Sequence, residues 1–129
     1  MQEKAFSKAD ALDFFGGYVA CALWSSVDEH GEPLDETYGI EHISAETLHV
    51  MREDCDRFLR ENAADLCEMM AITSASMENL GWAFWLTRNG HGAGFWAREA
   101  ADVGERLTEA AYAFGAVDLY VGDDGKVHA

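Results

Sequence analysis

The sequence predicts an α+β fold in which N-terminal helices pack on a small, mainly antiparallel sheet of order ββαββ. Residues 1–80 place apolar side chains at helical spacing, whereas residues 81–129 contain two dipeptides, Asn89-Gly90 and Asp124-Gly125, that favour hairpin turns. A chain of 129 residues can bury one hydrophobic core. We therefore expect a single domain, 1–129, that is helical first and contains strands in its second half.

The N-terminal part is predicted to be helical apart from one long connection. Ser7 and Ser44 are each expected to cap a helix, because a serine hydroxyl accepts backbone N–H groups that the first turn leaves unpaired. Ser25-Ser26 ends the first helix, and the second helix either continues through Asn62 or restarts there. Each glycine weakens a helix by roughly 1 kcal/mol relative to alanine, so Gly16-Gly17 suits a close approach to another element or a kink.

The connection, residues 25–43, is long for a compact domain. Connections of this length tend to be functional or disordered. It carries four apolar residues that we expect to anchor it to the body of the domain: Leu34, Tyr38, Ile40 and Ile43. A single helical turn, 77–80, is expected before the sheet begins.

Residues 82–98 are predicted to form a β-hairpin. Two aromatic runs flank Asn89-Gly90, the dipeptide that best tolerates the two positive φ angles of a type I′ turn. In this pairing Trp85 and Trp96 lie on one face and Phe84 and Phe95 on the other. Both faces are apolar, so both have to be covered.

The remaining residues are predicted to form a helix and a second hairpin. Gly115 is expected to end the helix in a left-handed conformation. Residues 117–121 and 126–128 follow as two strands joined by Asp124-Gly125, which places Asp123 opposite Lys126.

The charge of the chain is its most unusual property. It has 24 acidic and 9 basic residues, a formal net charge of −15. A surface of this sign repels nucleic acid and anionic membrane and attracts basic surfaces, so we expect no direct nucleic-acid or membrane binding. No lysine or arginine occurs between Lys8 and Arg52, whereas that interval contains nine acids: Asp10, Asp13, Asp28, Glu29, Glu32, Asp35, Glu36, Glu41 and Glu46.

Composition also bears on where the protein resides. Cys21, Cys55 and Cys67 form no CxxC pair, so free thiols in a reducing cytoplasm are expected. The first eight residues do not resemble a signal peptide. The longest apolar run, residues 16–24, is short of the roughly 20 residues that a membrane-spanning helix needs. We expect a cytoplasmic protein.

Several motifs resemble those of a known family. The segments Leu86-Thr-Arg-Asn-Gly-His-Gly-Ala-Gly-Phe-Trp96 and Leu119-Tyr-Val-Gly-Asp-Asp-Gly125 are similar to a family of small proteins encoded by tailed bacteriophages, prophages and plasmids. The resemblance implies a phage or mobile-element origin and a bacterial host, but no reaction. Where family members often carry a histidine and two aspartates around the predicted hairpin, this chain has Trp82, Ala83 and Ala97.

The sequence contains only weak signals for a catalytic site or a metal site. His91 lacks acidic partners on the predicted paired strand, where Arg88 faces it. Glu46, His49 and Glu53 share one helix face, but a di-metal carboxylate site needs a second copy of this motif. The acids of residues 28–36 do not have the spacing of a calcium-binding loop. We therefore predict no catalytic residue, metal or cofactor.

The resulting hypothesis is a phage-encoded, non-enzymatic inhibitor that mimics nucleic acid and blocks a basic, nucleic-acid-binding protein of the host. Its predicted contacts are Asp28, Glu29, Glu32, Asp35, Glu36, Glu41, Trp85 and Trp96. One alternative is a structural module that forms a homodimer through the outer sheet face, with Trp85, Trp96 and Tyr120 in the interface. A second alternative is a small enzyme centred on His91.

Overall fold

The computed structural model describes residues 6–91, 95 and 98–129, and in these residues the fold is mainly helical. The helices are α1 (Lys8–Ser25), α2 (Ala45–Glu61), α3 (Ala63–Thr73), α4 (Met77–Arg88) and α5 (Ala101–Tyr112). Two short strands, β1 (Tyr120–Val121) and β2 (Val127–His128), form the one antiparallel sheet of the described residues. Three 3₁₀ turns occur at Leu34–Glu36, Ile40–His42 and Arg98–Ala100. The predicted α+β fold with a ββαββ sheet is therefore wrong.

The main error concerns the first predicted hairpin, because its first strand is the helix α4. Asn89-Gly90 ends this helix: Gly90 has φ +74°, while Asn89 has φ −95°. The His91 N–H donates to the Leu86 carbonyl at 2.8 Å and the Gly90 N–H to the Thr87 carbonyl at 3.0 Å. These two bonds make a Schellman motif, in which one left-handed residue ends a helix. The predicted second strand lies largely outside the described residues.

Helix α4 buries a stripe that the hairpin interpretation overlooked. Its buried positions are Met77, Leu80, Gly81, Phe84, Trp85, Thr87 and Arg88. This spacing of three and four residues is that of a helix face rather than a strand. Ser76 begins the helix with a capping box, since its hydroxyl accepts from the Asn79 N–H at 3.1 Å and the Asn79 side chain accepts from the Ser76 N–H at 3.2 Å.

Helices α1 and α4 form the tightest pair in the fold. A Cβ at Gly17 would overlap the Glu78 carbonyl, and a Cβ at Gly81 would overlap the Phe14 carbonyl. The predicted close approach is thus confirmed at Gly17. At Gly16 a Cβ would meet no atom within 4 Å. Only glycine allows two helix backbones to approach so closely.

Aromatic rings from four parts of the chain fill the core beside this pair. Phe58 of α2 stacks on Phe84 of α4 with ring centroids 4.1 Å apart. Phe14 and Phe95 also lie against Phe58, at centroid distances of 6.1 and 5.7 Å. Their burial stabilises the fold, because each aromatic side chain removes a large apolar area from water.

The predicted helix ends are largely confirmed. Ser7 caps α1 with a reciprocal bond to Asp10, and Ser44 caps α2 through the Thr47 N–H. The second helix restarts at Asn62, which separates α2 from α3. Gly115 has the expected left-handed conformation, with φ +79°, and lies three residues beyond the last residue of α5.

The second hairpin forms with a different register from the predicted one. Tyr120 pairs with His128 and Val121 with Val127, so Asp123 does not face Lys126. The Gly125 N–H donates to the Gly122 carbonyl at 3.0 Å and closes the turn one residue earlier than predicted.

The C-terminal strand is tied to the start of α2. The Ser44 N–H donates to the Val127 carbonyl at 2.9 Å, and Val127 is fully buried. This contact holds the end of residues 25–43 beside the hairpin. Among the residues that the structure describes, no helix combines the length and the apolar character needed to cross a bilayer.

Candidate partner-binding surface

Residues 25–43, which we call the acidic loop, are folded against the domain. Val27 and Pro33 form an antiparallel bridge, and the Leu34 N–H donates to the Ser26 carbonyl at 2.9 Å. Leu34 is only 1% exposed, and Ile43 is also buried. These two anchors are confirmed, Tyr38 is half-buried, and the expectation for Ile40 was wrong because its side chain is exposed.

Asp28 organises the tip of the acidic loop. Its Oδ1 accepts the His30 N–H at 2.8 Å and the Glu32 N–H at 3.0 Å. These hydrogen bonds, first that from Glu32 and then that from His30, lower the pKa of Asp28. Gly31 completes the turn with φ +81°. Asp28 was predicted as a partner contact, but the structure gives its carboxylate the role of holding the turn.

The other predicted acidic contacts of the loop project into solvent. Their side chains are exposed at every position: Glu29, Glu32, Asp35, Glu36 and Glu41. Glu32 and Glu36 lie close enough for a hydrogen bond between their carboxyl groups, which is the main cause of the raised pKa of Glu36. This stretch therefore brings several carboxyl groups close together.

Basic side chains do not neutralise this surface. Within the described parts of the chain, none of the nine acids between Lys8 and Arg52 forms an ion pair with a lysine or arginine. Two of the loop acids lie beside histidines: Glu29 is 3.5 Å from His30 and Glu41 is 3.6 Å from His42.

The arginine ion pairs of the described residues lie away from the acidic loop, on helices α2 to α5. Arg52, Arg57, Arg88 and Arg106 pair with acids of α2 and α3: Asp54, Asp56, Glu61, Asp65 and Glu68. The few guanidinium groups thus compensate acids beyond Arg52 and leave the acidic loop uncompensated. Unopposed charge of this kind attracts a basic partner over a distance set by the ionic strength.

A groove of about 550 Å³ separates the acidic loop from the C-terminal hairpin. Val27 and Tyr38 line it from the loop, and Tyr120 lines it from β1. Its charged lining consists mainly of carboxylates, those of Asp28, Glu29 and Asp123, beside the His30 imidazole.

Tyrosine rings beside carboxylates suit a guanidinium or ammonium group, which gains from both the ring face and the negative charge. The sequence predicts Tyr38 as an anchor of the acidic loop and Tyr120 as part of a sheet interface, with no groove between them. The Ser44–Val127 hydrogen bond holds the C-terminal end of the acidic loop beside β2, so that Tyr38 and Tyr120 line the same groove. No local sequence pattern signals that contact.

Of the two predicted tryptophan contacts, the structure describes Trp85, which does not lie on this surface. Trp85 is 2% exposed, and its Nε1–H donates to the Ser25 hydroxyl at 2.8 Å in the interior. Trp96 lies outside the described residues. Since Trp85 belongs to a buried helix face and the described sheet has only two short strands, the predicted outer sheet face is wrong, whereas the homodimer stays a prediction.

His91 is not part of a catalytic constellation in the described structure. It is exposed and lines a depression of about 250 Å³ together with Ser25 and Asp118. No side-chain hydrogen bond joins these three residues within the described ranges, and the Ser25 hydroxyl instead accepts the Trp85 indole N–H.

The metal-site pattern of α2 resolves into a surface pair. His49 Nε2 lies 3.2 Å from Glu53 Oε1, with both side chains exposed. Over residues 6–91, 95 and 98–129, no group of three or more histidine, cysteine or carboxylate side chains is placed to hold a metal ion.

Comparison of the chain with protein-family models, with curated proteins and with solved structures finds no match. The roles assigned to these residues therefore rest on their geometry and charge.

Proposed function

We propose that this chain is a non-enzymatic binding protein whose acidic loop docks on a basic, nucleic-acid-binding protein and competes with nucleic acid for its cationic groove. In the phage or mobile-element setting that the resemblance implies, the partner is a protein of the bacterial host. The uncompensated charge of the acidic loop is the observation that carries the proposal.

The mechanism is electrostatic competition. Nucleic acid binds a basic groove mainly by placing a series of negative charges opposite lysine and arginine. The acidic loop presents a similar series, with Glu29, Glu32, Asp35 and Glu36 all exposed within eight residues of chain. The fold holds this series in place through Leu34 and the Asp28 turn, so little conformational entropy is lost on binding.

The groove beside the loop provides contacts of a second kind. An arginine of the partner can insert between Tyr38 and Tyr120, where its guanidinium meets the ring faces and the adjacent carboxylates. Buried aromatic and arginine contacts carry most of the energy in many protein interfaces, whereas exposed charge pairs mainly raise the association rate.

The test compares two variants of equal net charge. The loop variant carries Glu29→Gln, Glu32→Gln, Asp35→Asn and Glu36→Gln. The control variant carries four neutralised acids from exposed positions after the acidic loop, Glu99→Gln, Glu105→Gln, Glu109→Gln and Asp118→Asn. Both lose four negative charges from the formal −15 and keep Asp28 intact.

The measurement is capture of basic proteins from a bacterial lysate, followed by displacement of labelled DNA from the captured protein. The wild type and the control variant are expected to retain the partner and displace the DNA, with an affinity that falls as salt rises. The loop variant is expected to lose both activities. Equal behaviour of the two variants, or capture that is indifferent to ionic strength, contradicts the proposal.

A further inference from the structure

A second exposed surface lies on α1, on the side where this helix meets α4. Leu12, Gly16, Ala20 and Trp24 follow one another at four-residue spacing, and all four are exposed. Leu12 is 55% exposed and Trp24 is 52% exposed, which is unusual for two large apolar side chains on one stripe. At a rise of about 1.5 Å per residue, the stripe is about 18 Å long, or roughly three helical turns.

Leu12, Gly16 and Ala20 of this stripe line a groove of about 390 Å³ between α1 and α4, and Trp24 lies one turn beyond that lining. Gly16, Gly17 and Ala20 are the small residues of the lining, and Trp82 lines the groove from α4. The Trp82 ring packs against that of Trp24 with centroids 5.2 Å apart. Small residues between larger ones let the backbone of another helix approach, as in helix pairs that pack ridges into grooves.

The groove is acidic as well as apolar. Its charged lining residues are Asp13 on α1 and Glu78 on α4, both carboxylates. Lys8 lies one turn before Leu12, beyond the lining of the groove. A second copy of this chain, which has the same formal net charge of −15, would be repelled by this surface.

We propose that the groove between α1 and α4 binds a basic amphipathic helix of a partner protein. The apolar face of that helix packs on Leu12, Trp24 and Trp82, and its lysines or arginines lie opposite Asp13 and Glu78. This inference is independent of the acidic loop, whose residues do not line the groove.

Gly16 allows a test that leaves the charge unchanged. A Cβ at this position meets nothing within 4 Å and Gly16 lines the groove, so Gly16→Leu is expected to place its side chain in the groove. Leu12→Ser is a second variant, which removes one apolar contact. Val50→Ser is the matched control, because Val50 is 54% exposed on α2 and does not line the groove. Circular dichroism checks that each variant folds.

The probe is a synthetic helical peptide of about 18 residues with leucines on one face and lysines on the other. A peptide of the same composition, scrambled so that no apolar face forms, serves as the reference for non-specific attraction. Titration calorimetry measures both affinities, and the NMR signal of the Trp24 indole N–H reports contact at the groove.

The wild type is expected to bind the amphipathic peptide about tenfold or more tightly than the scrambled peptide, with a shift of the Trp24 signal. Gly16→Leu and Leu12→Ser are expected to abolish this preference, whereas Val50→Ser and the loop variant retain it. The proposal is overturned by equal binding of the two peptides or by an unchanged preference in Gly16→Leu. It is also overturned if sedimentation shows a dimer of this chain that Gly16→Leu dissociates.

Discussion

The stability of the fold is expected to depend strongly on Arg88, because its buried guanidinium group forms hydrogen bonds with several other elements. Its side chain is 3% exposed. Nε donates to the Gly115 carbonyl at 2.7 Å and Nη2 to the Phe114 carbonyl at 2.9 Å, just after α5. Nη1 donates to Asp54 Oδ2 at 2.8 Å and to the Tyr18 hydroxyl at 3.0 Å. The guanidinium thus joins α1, α2, α4 and the end of α5.

Arg88→Met keeps most of the side-chain volume but removes all of these bonds. It leaves the mostly buried Asp54 carboxylate and two carbonyl groups without their partner. Breaking a buried ion pair in this way costs about 3–5 kcal/mol, out of a total stability of about 5–15 kcal/mol for a domain. For a domain of this size we expect the Tm to fall by roughly 10–20 °C. Urea unfolding followed by circular dichroism measures the change.

Two further variants separate the buried pair from a general effect of losing an arginine. Arg106→Met removes an exposed ion pair with Asp65, so it is expected to change the stability far less. The double variant Arg88→Met with Asp54→Leu is expected to regain part of the loss, because the isolated carboxylate is gone. If Arg88→Met is as stable as Arg106→Met, the argument that Arg88 holds these elements together is wrong.

Two other predictions concern the helix pair and the thiols. Gly17→Ala is expected to destabilise the protein by about 1–3 kcal/mol, because its Cβ would overlap the α4 backbone. Gly16→Ala is expected to stabilise the protein by about 0.5–1 kcal/mol, because alanine favours a helix more than glycine does. Thermal unfolding distinguishes the two variants, and similar shifts in Tm would refute the close approach of α1 and α4. Burial raises the pKa of Cys21 to about 12 and also raises the pKa of Cys55. In the native protein at pH 8, Ellman's reagent is therefore expected to modify the half-buried Cys67 first. Equal reaction rates at all three thiols would contradict this burial pattern.

Local signals in the sequence predicted the helix ends well. Ser7 with Asp10, Ser44 and Gly115 all act as expected, because a cap depends on hydrogen bonds within a few residues. The acidic loop was also recognised as a long, anchored connection. Its burial at Leu34 follows from an apolar residue within an otherwise polar segment.

The first hairpin was wrong because Asn89-Gly90 fits two structures. A glycine with positive φ can complete a type I′ turn, but it can equally end a helix. The Ser76 cap and the stripe that runs from Met77 to Arg88 supported the helix, and the aromatic residues that favour strands obscured this pattern. Tertiary packing decides such cases, since Phe84 gains more from the helical core than from a strand that must be covered on both faces.

For the candidate partner-binding surface, too, the overall charge could be predicted from the sequence but the role of each residue could not. The absence of lysine and arginine between Lys8 and Arg52 predicted a negatively charged segment, and the exposed acids of the loop agree with it. The roles of individual residues could not be predicted. Asp28 holds a turn, Trp85 is buried, and Tyr120 lines the groove beside the acidic loop.

The sequence by itself determined the features that depend on neighbouring residues or on composition: the helix caps, the negative charge and its concentration before Arg52. Only the tertiary structure decided which aromatic residues are buried, which carboxylates have cationic partners, and which small residues bring α1 and α4 together. The physical reason is that these properties depend on contacts between residues far apart in the chain. Hydrophobic burial selects those contacts collectively, and it overrides local preferences wherever two structures satisfy them equally.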